Sequence, residues 1–239
     1  ESEACYVCLF RTKKYIRSTD EGEQWVKLKD GTWERFSRWS KDGETPEAEE
    51  GTYLRYRWIT RITSKDLREW TPPVDMDFGD APPEDLYTNQ TEPYFRAPHI
   101  YIGTAARLFP DRQALTPGQQ KQVFSDPTQS QKSLLASIHD AVLLTSRGGE
   151  QYDRTFMESL VRPGLNPGNW VYGSNFPAKG VVPTGDREMS MYVVRNSGQE
   201  SIYLERVTLR TDGFASLSAP YRGGQMVTKP LRFSGRELV

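Results

Sequence analysis

Three short stretches place reactive side chains where a strand opens. In "TEPYFRAPH", Glu92 precedes Pro93, which fixes the backbone and removes an N–H, and Tyr94, Arg96 and His99 follow on a run too polar for core alone. In "SIHDAVLLTS", His139 and Asp140 sit at the mouth of an apolar run, and in "YGSNFPAKG" Asn175 and Phe176 precede a proline. Carboxylates in such positions can move a proton or accept hydrogen bonds from a hydroxyl, while an amide can only bind one. Each has a second reading. Glu92 can simply pair with Arg96, Asp140 can cap a turn, and Glu188 in "TGDREMSMY" reads as part of a solvated hairpin turn.

Those strands belong to a chain in which period-two patterning dominates. Cys5–Arg11, Tyr53–Thr63, His99–Leu108, Ala141–Thr145, Met189–Arg195, Ile202–Arg210 and Met226–Phe233 are short runs of β-branched, aromatic and aliphatic residues bounded by Gly, Pro, Asp or Ser. The pattern predicts an all-β protein. "DPTQSQKSLLASIHDA" departs from it and predicts a short helix, while "FPDRQALTPGQQKQ" and "SKDGETPEAEE" read as loops. Three strand ends share a plan: Ser64 to Trp70 in "ITSKDLREW", Thr145 to Tyr152 in "LLTSRGGEQY", and Arg210 to Phe214 in "RTDGF". In each, Ser or Asp oxygens are placed to cap the turn's N–H groups, and a following aromatic folds back on the sheet.

Composition narrows the partners. With 239 residues, 36% hydrophobic, 26% charged and a net charge of −1, the chain has enough material for a core and no broad field for nucleic acid or a membrane surface. No apolar run reaches the length of a bilayer span. Cys5 and Cys8 fall on opposite faces of one strand and should not bridge, and two histidines do not suggest a His-based metal site. The acidic run Asp75, Asp77, Asp80, Glu84, Asp85 lacks the spacing of a calcium loop and contains Pro82-Pro83, so no metal is assigned to it. Asn89-Gln90-Thr91 is a glycosylation sequon whose meaning depends on the compartment.

The sequence Ser64-Lys65-Asp66-Leu67-Arg68-Glu69-Trp70 after a strand, with "TEPYFRAPHIYIG" and "DAVLLTSRGGEQYDRTF", resembles the blades of five-bladed β-propeller glycosidases related to glycoside hydrolase families 32 and 43, and more closely an uncharacterised bacterial subgroup. The likeness spans most of residues 4 to 233. It implies a β-propeller of which this chain supplies about the last three blades, near 1–80, 81–160 and 161–239, in agreement with a chain that opens a strand almost at Glu1 and ends in "FSGRELV". The other blades would come from a preceding part of the same propeller or from a second copy. A β-sandwich is the competing architecture.

The resemblance further implies hydrolysis of glycosidic bonds in an oligo- or polysaccharide, with secretion or a periplasmic site favoured. That reaction needs two carboxyl groups, and Glu92 and Asp140 are the candidates. Tyr94, Arg96, His99, Arg107, His139, Asn175 and Phe176 are the expected substrate-binding residues. Tyr87, Phe95, Trp170 and Tyr172 offer further flat faces, and Arg147 a further donor. No organic cofactor is expected, although some related propellers hold an axial calcium. Asn175 stands where the pattern would place a carboxylate, which keeps open a noncatalytic sugar-binding or protein-interaction propeller.

Overall fold

The computed structural model describes residues 3–18, 24–27, 33–35 and 54–228. Its strands are β1 (Tyr6–Ser18), β2 (Gln24–Lys27), β3 (Trp33–Arg35), β4 (Leu54–Ser64), β5 (Val74–Asp75), β6 (Asp85–Thr88), β7 (Thr91–Tyr94) and β8 (Ala97–Phe109). Two short helices, α1 (Pro117–Val123) and α2 (Gln129–Leu134), interrupt the series before β9 (Ile138–Ser146) and β10 (Ser159–Val161). A 3-10 turn at Pro167–Asn169 leads to β11 (Val182–Gly185), β12 (Glu188–Arg195) and β13 (Tyr203–Arg210). The protein is all-β.

The strands form three antiparallel sheets. The first has the order β3-β2-β1-β4-β5, the second β10-β9-β8-β6 with β7 also on β8, and the third β11-β12-β13. The second sheet is packed on both faces. Alternate residues of β9 point opposite ways, so Val142 and Leu144 join Trp58, Ile59, Met76 and Phe78 toward the first sheet. Ala141 and Leu143 turn toward the third, where Met189, Met191 and Val193 lie. This double burial explains why β9 reads as a nearly continuous apolar run. Each fully buried Leu or Val contributes about 1.5–3 kcal/mol.

The turn after β4 is built as its sequence predicts. Ser64 Oγ accepts the N–H of Leu67 at 2.8 Å, Asp66 Oδ1 accepts those of Arg68 at 2.8 Å and Glu69 at 2.9 Å, and Trp70 returns to bridge Ser64. The same amides, Glu69 first and then Arg68, hold the Asp66 carboxyl below its usual pKa. After β9, Ser146 Oγ accepts from Gly148 N–H and Tyr152 is buried in the core. The third turn differs, because the Asp212 carboxylate leaves its own backbone and takes the Tyr94 hydroxyl and Arg96.

Several expectations change. β1 runs past Arg11 to Ser18, and Ile138 begins β9 rather than ending a helix. Helix α1 occupies a stretch expected to be loop; it buries no residue, so no apolar period announces it, but Thr116 and Gln119 form a reciprocal cap around Pro117. Met226 and Val227 are exposed and outside any strand, and the rest of the strand expected at Met226–Phe233 lies beyond the described residues from 229 onward. "SKDGETPEAEE" also lies outside them, as does Tyr53. No helix among the described residues is long and apolar enough to cross a membrane.

Candidate functional site

The two candidate carboxylates lie in different surroundings. Arg107 and Asp140 face each other in the β8/β9 register, and the guanidinium meets the carboxylate side-on: Nε donates to Oδ1 at 2.9 Å and Nη2 to Oδ2 at 2.6 Å. Ser159 Oγ donates to Oδ2 as well. Arg107 also donates to Glu84, whose other oxygen accepts Arg154 Nε at 2.8 Å. Two cations and two carboxylates thus alternate in a nearly dry layer, Arg154 being 3% and Asp140 5% exposed. Hydrogen bonds and charge from Asp140 and Glu84 outweigh burial and raise the Arg107 pKa above its usual value. The geometry makes Asp140 an anchored anion with both oxygens engaged.

Glu92 is half-buried on β7, with Oε1 accepting Val181 N–H at 3.1 Å. This reach depends on Gly180, whose φ is +105° and where an added Cβ would stand 3.1 Å from Oε1. Among the described residues no hydrogen-bond donor meets Oε2. Arg96 does not pair with Glu92; it joins Asp212, which also accepts the Tyr94 hydroxyl at 2.6 Å. Burial, then the Asp212 hydrogen bond, pushes the Tyr94 pKa to about 12. His99 is exposed on β8.

Asn175 is fully buried. Its Nδ2 donates to the carbonyls of His139 at 2.8 Å and Asn169 at 2.9 Å, and its Oδ1 accepts from Arg195. With φ at +67° it turns the chain so that residues 175–178 run along β12, through Asn175 N–H to Val194 O, Phe176 O from Val194 N–H, and Ala178 N–H to Tyr192 O. It therefore positions Phe176.

Phe176 is one wall of a cluster drawn from all three sheets. Tyr87 lies 5.4 Å from Phe176 and 5.8 Å from Tyr172 between ring centroids. β6 pairs Leu86 with Arg107 and Thr88 with Ala106, so Tyr87 is the unopposed residue of a bulge, which turns its ring out of the ladder. Arg11 of β1 sits 4.6 Å and Arg57 of β4 5.5 Å from the Tyr87 centroid. Arg57 is held by Asp85 through its backbone N–H and Nη1, at 2.9 and 3.0 Å. The neighbouring Tyr172 hydroxyl first, then Arg11 and the Arg57 charge, lower the Tyr87 pKa. Tyr172 moves the other way, to about 12, through burial and then the neighbouring Tyr87 hydroxyl.

His139 forms the floor, fully buried, with its ring 4.4 Å from Phe176 and 4.8 Å from Tyr172. Burial, then the Arg57 charge, depresses its pKa to about 3, so it is neutral. Its Nδ1 accepts Gly173 N–H at 3.2 Å, which puts the proton on Nε2. Among the described residues Nε2 has no hydrogen-bond partner, and aromatic rings pack around the imidazole.

Of the expected binding residues the structure brings His139 and Phe176 together, with Tyr87 and Tyr172. Tyr94 and Arg96 form a separate link to Asp212, and Arg107 belongs to the buried ion layer. Arg11 and Arg57 escaped sequence reasoning because nothing in the chain couples β1 and β4 to Tyr87; cationic residues on strands facing an aromatic strand were the available sign. The acidic run disperses, Asp75 to Lys14 and Thr60, Asp85 to Arg57, Glu84 to Arg107 and Arg154. No group of three or more His, Cys, Asp or Glu among the described residues is placed to hold a metal ion.

A cavity of about 990 Å³ lies between the β5–β6 connection and the turn after β9. Its aromatic residues, Phe78 and Tyr152, are buried in the core, and two of its acids, Asp77 and Asp153, accept from Gly79 N–H and Thr155 N–H in their own loops, while Asp80 and Arg147 line it from exposed positions. It lacks the exposed aromatic faces of the Tyr87 cluster. Comparison of the chain with protein-family models, curated proteins and solved structures gives no match.

Proposed function

We propose that the protein is a carbohydrate-active β-propeller of the five-bladed type, its three sheets serving as blades near 1–80, 81–160 and 161–239, and that it holds a saccharide across Tyr87, Tyr172 and Phe176. One observation carries this reading: the partly exposed ring of Tyr87 on β6 and those of Tyr172 and Phe176 on the loop before β11 converge beside two guanidinium groups and a hydroxyl pair. Such faces stack on the C–H side of a sugar ring while guanidinium and hydroxyl groups take its oxygens. The stacking order of the sheets, each covering the next, accords with blades.

Hydrolysis of the glycosidic bond is a second reading, favoured by Glu92, whose Oε2 meets no hydrogen-bond donor among the described residues on a half-buried strand. Asp140 serves this reading poorly, because both its oxygens are committed to Arg107 and Ser159. The test is binding to and sugar release from a panel of polysaccharides by the wild-type chain, Tyr87→Ala and Glu92→Gln. Binding lost in Tyr87→Ala supports the site, and binding that Tyr87→Ala leaves unchanged, or that never occurs, overturns it. Release that Glu92→Gln removes while binding persists establishes the hydrolase, and binding without release establishes a noncatalytic binder.

A further inference from the structure

We propose that the saccharide held at the Tyr87 cluster carries an anionic group, carboxylate or sulfate, and that Arg11 is the residue that receives it. This rests on the sugar-binding reading of the same cluster. In the β1/β4 ladder Lys13 is opposite Arg57 and Arg11 is opposite Ile59, so Arg11, Lys13 and Arg57 share one face of this strand pair. Asp85 is the one carboxylate among the described residues that pairs with any of the three, and it takes Arg57. Arg11 and Lys13 have no carboxylate against them there, and Arg11 is exposed at the rim of the Tyr87 ring. Among the described residues, three cations against one anion leave a positive edge beside the stacking surface.

The arginines expected from the sequence to bind substrate, Arg96 and Arg107, do not supply this. Arg96 is neutralised by Asp212, and Arg107 lies between Asp140 and Glu84. Arg11 differs in being both solvent-facing and anchored, since stacking on Tyr87 holds its planar fork in place and leaves its outer N–H groups for a ligand oxygen pair. A carboxylate and a sulfate present the same oxygen geometry to that fork, and the polymer that binds distinguishes them.

The experiment measures affinity of the chain for polygalacturonate, dextran sulfate and neutral dextran at low and moderate salt. It compares wild type with Arg11→Gln, Arg11→Lys and Arg222→Gln, the last removing an equal charge from the exposed coil after β13. Wild type is expected to prefer one or both anionic polymers over dextran by roughly tenfold, a preference that salt weakens. Arg11→Gln is expected to erase the preference, Arg11→Lys to retain part of it, and Arg222→Gln to leave it whole. Uronate binding assigns the carboxylate and dextran sulfate binding the sulfate. Equal affinity for dextran, or equal losses in Arg11→Gln and Arg222→Gln, overturns the anionic assignment while leaving the sugar site standing. No binding to any polymer, with the far-UV spectrum intact, overturns both.

Discussion

Replacing Asp140 by Asn tests whether this residue acts as an anchor. The change preserves volume, so no cavity is created, but it removes the charge that faces Arg107 and puts N–H donors against Nη2 or the Ser159 hydroxyl. With Asp140 at 5% exposure, water cannot restore the lost bonds. Breaking a buried ion pair from one side costs about 3–5 kcal/mol, and because Arg107 keeps Glu84 the lower end applies, about 3 kcal/mol. For a domain of this size each kcal/mol moves Tm by roughly 2–4 °C, so the midpoint should fall by about 6–12 °C. Thermal and urea melts at neutral pH measure it. The double variant Asp140→Leu/Arg107→Met should lose less than its two single changes together, since it removes both buried charges. A midpoint for Asp140→Asn within about 2 °C of wild type would refute the anchoring argument and return Asp140 to the candidate acids.

Two further outcomes follow from the cluster. His139 has its folded pKa depressed from 6.5 to about 3, so between those values the unfolded chain binds a proton that the folded chain refuses. Its contribution to stability is complete above about pH 6.5 and is lost as pH falls toward 3, at about 1.4 kcal/mol per pH unit, or about 2–3 kcal/mol at pH 4.5; His139→Phe should flatten that part of the urea-midpoint profile, and an unchanged slope would count against the buried neutral ring. Asn175→Ala takes the amide donor from two carbonyls and one of three acceptors from Arg195, and puts a residue other than Asn or Gly at φ +67°, so a loss of about 3 kcal/mol is expected in urea unfolding. A loss under about 1 kcal/mol would mean that water replaces the amide.

The sequence by itself determined what local chemistry controls. Period-two runs specified strands because side chains alternate across a sheet, and Ser64 and Asp66 specified their turn because their oxygens reach only the next few N–H groups. Where the period was absent, as in α1, a capping pair alone marked the helix. The tertiary structure decided which charges meet. Asp140 became an ion-pair partner through the β8/β9 register, Asn175 a backbone clamp through its contacts with Asn169, His139 and Arg195, and Asp212 a partner of Tyr94 across two sheets. Arg11 reached Tyr87 only because the first sheet packs on the second and a bulge turns the ring toward it. The role of a polar side chain depends on the donors and charges within a few ångströms, and folding draws most of these from distant parts of the chain.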